Sequence, residues 1–130
     1  MTAQWKPEGY TSLSPYLIVS NAQAVIDFAT EVFAATELRR YDRPDGSIMH
    51  CEFRIDDTVI MLGDAGNEWS ASPAHLHVYV KDVNDTYQRA ILAGGLSLQV
   101  PGQKKGDPDR RGGVKDPSGN SWLIATQAQI

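Results

Sequence analysis

The sequence predicts an α+β fold made of two βαβββ modules whose curved mixed sheets surround a cup. Three observations carry that prediction. A pattern of strand, helix and three strands runs through the first half of the chain and again through the second. Corresponding points return at one offset: Val19-Ser20-Asn21 as Val80-Lys81-Asp82, and Ala29 as Ala90. Few side chains are shared between the halves, so the repeat is one of pattern. Finally, the chain ends in a well-marked hairpin. Its turn is Asp116-Pro117-Ser118-Gly119. Pro117 sets φ for the first central residue, Asp116 can bond the backbone beyond it, and Gly119 accepts a positive φ. A hairpin cannot bury its apolar face alone, so the rest of the chain must cover it.

Each element follows from local pattern. Met1 to Thr11 is polar, contains Pro7 and Gly9, and reads as an arm. Leu13 to Val19 reads as a strand, with Leu17 and Val19 on one face and Ser14, Tyr16 and Ile18 on the other. Asn21 is a helix cap, and Val25, Ile26, Ala29, Val32 and Phe33 recur at helical spacing to Phe33. Strands follow at Glu37 to Tyr41, Ile48 to Ile55 and Thr58 to Leu62. In the middle one Cys51, Phe53 and Ile55 oppose His50, Glu52 and Arg54. Ala65 to Pro73 is a loop with Trp69 exposed or clamped over a neighbour. In the second half His75 to Val80 alternates, with Leu76, Val78 and Val80 opposing His75, His77 and Tyr79. Asp82 caps a helix that runs from Val83 to Ala93 and stops at Gly94-Gly95. Leu96 to Val100 is a strand, Pro101 to Asp109 a polar loop, and the closing hairpin completes the set. The organisation expected is one domain, residues 1–130, with a first module at 13–63 and a second at 75–126.

Composition excludes several functions. The formal charge of −4 lacks the basic stripe of a nucleic-acid surface. No stretch reaches membrane-spanning length, and the N-terminus has no apolar signal core. The single cysteine, Cys51, has no internal partner, which suits a reducing, cytoplasmic setting, and it lies on the apolar face of its strand. No phosphate-binding glycine loop, nucleophile elbow or CxxC pair is present.

The candidates for chemistry lie on the faces turned away from the helices. His75 and His77 share one strand face, with Cα atoms about 6.5–7 Å apart. Such a pair can chelate a metal if His50 or Glu52 comes close, can act as a base, or can simply line a pocket. Tyr16, Tyr79 and Trp69 can stack on a flat ligand or pack in the core. Lys104, Lys105, Arg110 and Arg111 form one basic loop region, read as solvated rather than as an anion site.

Several segments then carry a family resemblance: Pro15-Tyr16-Leu17, Ala24-Val25-Ile26-Asp27-Phe28, Pro44-Asp45-Gly46, His50-Cys51-Glu52, Tyr79-Val80-Lys81-Asp82-Val83, and Asp116-Pro117 with Gly119 and Trp122-Leu123-Ile124-Ala125-Thr126. In order and spacing, from Gly9 to Thr126, they resemble the vicinal oxygen chelate superfamily in its glyoxalase/bleomycin-resistance branch. The resemblance implies paired βαβββ modules, often in a homodimer. It also implies four metal-ligand positions, which by the surrounding motifs fall on Ser14, Met61, His75 and Leu123. Only His75 is a good donor for a divalent ion. The expectation is therefore a homodimeric, glyoxalase-like protein that holds a small, partly aromatic molecule, with no metal or other cofactor. Its ligand-binding residues are expected to be Ser14, Tyr16, Met61, His75, His77, Tyr79 and Leu123. The acidic balance suits a cationic ligand. The alternative is a divalent-metal lyase, isomerase or dioxygenase with a rearranged ligand set of His75, His77 and Glu52.

Overall fold

Period-2 alternation in the strands and 3.6-residue spacing in the helices leave each element one apolar face, and those faces decide the architecture. The structure, a computed structural model, describes residues 4–128. The elements in chain order are β1 (Tyr16–Val19), α1 (Ala22–Phe33), β2 (Thr36–Asp42), β3 (Ile48–Ile55), β4 (Thr58–Asp64), β5 (His75–Tyr79), α2 (Val83–Leu92), β6 (Leu96–Gly102), β7 (Asp109–Lys115) and β8 (Ser121–Gln127). They build two four-stranded sheets of equivalent order, β1-β4-β3-β2 and β5-β8-β7-β6. In each, the first strand pairs in parallel with the last, and the remaining pairs are antiparallel. This is the predicted α+β pair of βαβββ modules. The two sheets do not hydrogen-bond to each other, so each keeps an inner face of its own.

The core lies between sheets and helices. Leu17, Val19, Phe53, Ile60, Leu62 and Trp122 are buried there, with Leu76, Val78 and Val80 partly buried against them. These are the positions that alternation assigns to the helix side. Asn21 caps α1 through its side-chain oxygen, which accepts from the Ala24 N–H at 3.1 Å, and Asp82 caps α2 in the same way. The modules join along the helices. The Phe33 and Trp122 rings lie 4.9 Å apart, and the Arg89 guanidinium donates to the Val32 carbonyl at 3.0 Å, satisfying a carbonyl that α1 leaves free at its end.

Several boundaries differ from expectation, most by one or two residues, and three have a clear physical reason. β1 begins at Tyr16, not Leu13: Pro15 has no N–H to give a ladder, and Leu13 stands exposed. β7 begins at Asp109, so Arg110 and Arg111 are strand residues pointing to opposite faces. Arg110 reaches Asn84 and the Pro101 carbonyl, while Arg111 crosses the inner face. The basic loop region is thus divided, with Lys104 and Lys105 left exposed in the turn. β6 runs on through Pro101 to Gly102, which an edge strand with register shifts tolerates.

Candidate functional site

On the inner face of the first sheet, β1 and β3, which flank β4, place Tyr16 (β1), His50 and Glu52 (β3) within reach of one another. The Tyr16 hydroxyl lies 3.0 Å from His50 Nδ1, and His50 Nε2 lies 2.8 Å from Glu52 Oε2. The other Glu52 oxygen accepts a hydrogen bond from Tyr10 in the N-terminal arm. Alternation puts Glu52 opposite the core, yet it is only 3 % exposed, because the arm lies over it. Arg54 donates to the Gly9 carbonyl at 3.0 Å, and Arg39 stacks over the Tyr10 ring at 5.2 Å. Gly9 and Tyr10 of the arm thus lie against the chain's own first sheet; Met1 to Ala3 lie outside the described residues.

Burial acts to raise the Glu52 carboxyl, but hydrogen bonds from His50 and Tyr10, with the charges of His50 and Arg39, outweigh it and hold the group below the usual carboxylate range. Glu52 is then a carboxylate and only accepts. His50 Nε2 therefore donates to it, and in the neutral imidazole this leaves the lone pair on Nδ1, facing Tyr16. Burial, followed by the Glu52 charge, raises the Tyr16 hydroxyl above its ordinary value, although the Arg43 charge opposes this, so it stays protonated.

Tyr16 and His50 form one wall of a cavity of about 620 Å³, completed by Ile18, Arg43, Met49, Gly63, Asp64 and Trp69. Gly63 is needed there: a Cβ on it would stand 2.5 Å from the Met49 carbonyl oxygen. Trp69 is 64 % exposed, and its loop is pinned on both sides. The Gly66 N–H bonds the Trp69 carbonyl at 2.9 Å, and the Ser72 N–H bonds the Ile18 carbonyl at 3.0 Å. Arg43 is held by Ser47 Oγ and the Asp64 carbonyl.

The inner face of the second sheet carries a different array. Arg111 donates to His77 Nε2 at 2.8 Å, to Asp107 at 2.8 Å and to Asp109 at 2.9 Å, and the Tyr79 hydroxyl donates to Asp109 at 2.6 Å. A guanidinium only donates, so His77 Nε2 is the acceptor, and its lone pair is committed to Arg111.

The seven expected ligand-binding residues are distributed over both faces. Tyr16 lines the large cavity. Met61 lines a smaller one, about 240 Å³, beneath the arm with Tyr10 and Glu52. Ser14 precedes β1 and shares a hydrogen bond with Thr11. His75, His77, Tyr79 and Leu123 stand on the second sheet, with His77 opposite Leu123 in the ladder. At the four positions matched to metal ligands, a thioether, an isobutyl group, a hydroxyl and one imidazole do not make a hard-donor set, so the residues present do not fit the ion. Nor does the rearranged set assemble. Glu52 is engaged by Tyr10 and His50 on the other sheet, and among the described residues no three His, Cys, Asp or Glu side chains converge as a metal site. Trp69 is legible in the sequence as a lone aromatic in a loop. The Tyr16–His50 contact is not, because it depends on the parallel pairing of β1 with β4 beside β3.

Residues 10–124 match the family model described as Glyoxalase/Bleomycin resistance protein/Dioxygenase superfamily. An uncharacterized protein of Mycobacterium bovis is 35% identical, the match covering 87% of this chain and 81% of that protein. Among solved structures, glyoxalase I from Zea mays is similar with a TM-score of 0.73 and 20% identity, over 91% of this chain and 45% of that one. TioX from Micromonospora sp. ML1 gives 0.70 and 22%, over 92% and 98% of the two chains. The fosfomycin resistance protein FosX from Listeria monocytogenes gives 0.70 and 13%, over 91% and 93%. At these identities the solved structures speak for the fold.

Proposed function

We propose that this chain, which belongs to the Glyoxalase/Bleomycin resistance protein/Dioxygenase superfamily, binds a small, partly aromatic organic molecule in a cup that takes no metal. The observation that carries this reading is the cavity of about 620 Å³, whose wall combines Tyr16, Ile18, Met49, His50 and Trp69 with a few polar groups at fixed places. A mostly apolar concavity with few convergent polar groups is the usual form of a small-molecule site. A flat ligand would stack on Trp69 and hydrogen-bond Tyr16. Met61, opposite Tyr16 in the ladder, and Ser14, just before β1, would border the ligand from the first sheet, while His75, His77, Tyr79 and Leu123 would reach it only in a homodimer, from the second sheet of the second copy. A cytoplasmic setting suits the lone, buried thiol of Cys51.

A thermal-shift screen of neutral and cationic aromatic compounds tests the binding, since a ligand of the native state raises its stability with saturation. The expected hits lose their shift in Trp69→Ala. Calorimetry with zinc, nickel, manganese and iron(II) tests the missing metal, and no site of micromolar affinity is expected. One stoichiometric ion per chain, lost in His75→Ala, would overturn the metal-free reading.

A further inference from the structure

We propose that Tyr16 and His50 form a metal-independent acid–base site that removes an activated C–H proton from a small, flat molecule in the first module's cavity, with Glu52 as their positioning residue. The inference rests on the reading that this cavity binds such a molecule. It is carried by three placements: the imidazole Nδ1 at 3.0 Å from the Tyr16 hydroxyl, a carboxylate 2.8 Å behind the same ring, and both Tyr16 and His50 on the cavity wall.

The chemistry follows from who donates. Glu52 fixes the neutral imidazole with its proton on Nε2, so the basic lone pair is on Nδ1, facing the hydroxyl of Tyr16, which lines the cavity with it. In the free protein the Tyr16 hydroxyl occupies that lone pair. A ligand oxygen or nitrogen that attracts the hydroxyl proton frees it. A base and a proton donor about one hydrogen-bond length apart suit a carbon acid, whose C–H and charge-accepting heteroatom are separated by one or two bonds. The C–H proton passes to His50 Nδ1, and its electron pair moves into the bond toward the heteroatom. The charge that gathers on the heteroatom is held by the Tyr16 O–H, and the imidazolium formed faces the Glu52 carboxylate. The proton then returns to another atom, which is an isomerisation, or the heteroatom departs with the electrons, which is an elimination. Neither outcome needs an oxidant, a reductant or a second reactant.

The second module shows that the residue types alone are not enough. His77 also lies near a tyrosine and two carboxylates, but its Nε2 lone pair is taken by Arg111 and no carboxylate stands behind its ring. Among the described residues, the first module alone presents a carboxylate-backed imidazole whose other nitrogen is paired with a hydroxyl, able to turn to a ligand, on a cavity wall.

The full chain can be tested with nitrobenzisoxazole, a flat aromatic whose single activated C–H is removed as its N–O bond opens to a coloured cyanophenolate. The nitrobenzotriazole of the same shape is inert and reports binding through tryptophan fluorescence. The wild-type protein is expected to cleave the benzisoxazole with saturation. His50→Ala should lower kcat about 100-fold or more, and Tyr16→Phe about 10–100-fold. Glu52→Gln should lower kcat about 10-fold while the Kd for the benzotriazole stays within about 2-fold, a split that a merely structural role would not produce. Protein that binds the benzotriazole but cleaves the benzisoxazole no faster than His50→Ala would overturn the acid–base site and leave the binding reading standing. Absence of any Trp69-dependent binding of the benzotriazole would overturn both.

Discussion

Asp116 shows how one side chain can hold the closing hairpin. It is 4 % exposed, and its carboxylate accepts from the Ser118 N–H at 2.9 Å, the Asn120 N–H at 3.0 Å, the Asn120 amide at 2.9 Å and the Trp122 indole N–H at 2.8 Å. Gly119, at φ 88°, closes the turn in the left-handed region. Replacing Asp116 by Ala leaves the indole N–H and the buried Asn120 without an acceptor, and each orphaned group costs about 1–3 kcal/mol. Urea unfolding of Asp116→Ala should therefore show a loss of about 2–4 kcal/mol with the same circular dichroism spectrum. A loss under about 0.5 kcal/mol would count against this account. The turn role of Asp116 is legible in Asp-Pro-Ser-Gly, because it depends on neighbours in sequence. Its bond to Trp122 joins the same carboxylate to the core between modules, and no local pattern encodes it. Cys51 is a case where local pattern suffices: alternation places it on the apolar face, and burial, with the Glu37 charge beside it, pushes its thiol up to about 11. It should resist alkylation near pH 8 in the native protein and react at once in denaturant.

At the scale of elements, strands with a clean apolar alternation were legible and those whose partners decide their state were not. β3 and α1 begin and end where the sequence places them. β7 does not, because Arg110 and Arg111 look like loop residues until Asn84, Asp107 and Asp109 are seen to receive them. The arm is the other case: nothing in Met1 to Thr11 announces that Tyr10 will cover Glu52. That contact has a pH signature. The folded protein holds the Glu52 carboxyl below its ordinary value, near 4.3 in an unfolded chain. The stabilisation is therefore complete above about pH 4.3 and is lost as pH falls through the lower, folded value. Tyr10→Phe removes a hydrogen bond to a charged, buried acceptor and should cost about 1–3 kcal/mol at pH 7. Acid unfolding curves should converge, since wild type loses below about pH 4 what Glu52→Gln never has. Equal acid sensitivity of wild type and Glu52→Gln would remove Glu52 from the account.

For the whole molecule, the two inner faces have unequal cover. The first lies under the arm and around the cavity. The second exposes Leu96 at 68 %, Leu98 at 49 %, Val100 at 69 %, Tyr79 at 61 % and Leu123 at 40 %. Contiguous apolar surface of this kind on a small protein marks an association site. The sheet edges are poorer candidates. β2 carries Glu37, Arg39, Arg40 and Asp42, and β6 carries Pro101, both of which blunt strand-to-strand pairing. The proposed dimer thus uses a face rather than an edge, and a two-fold axis makes the same patch serve both copies. Leu98 and Leu123 pack together against Gly113, at the centre of that face and outside the helix-side core. The double substitution Leu98→Asp with Leu123→Glu should leave the helical circular dichroism and the urea midpoint of the isolated chain intact. It should also reduce the mass in light scattering from two chains to one at micromolar concentration. Two alternatives would appear in the same experiment. Wild-type protein that already scatters as a single chain would sink the dimer, and a variant that stays dimeric would move the contact to another surface. The Tyr16–His50–Glu52 array lies on the other sheet, so the monomeric variant should still bind a ligand of the first module's cavity unless the partner's second sheet completes the cup. Weaker binding in proportion to the loss of dimer would show that His75, His77, Tyr79 and Leu123 reach the ligand from the second copy.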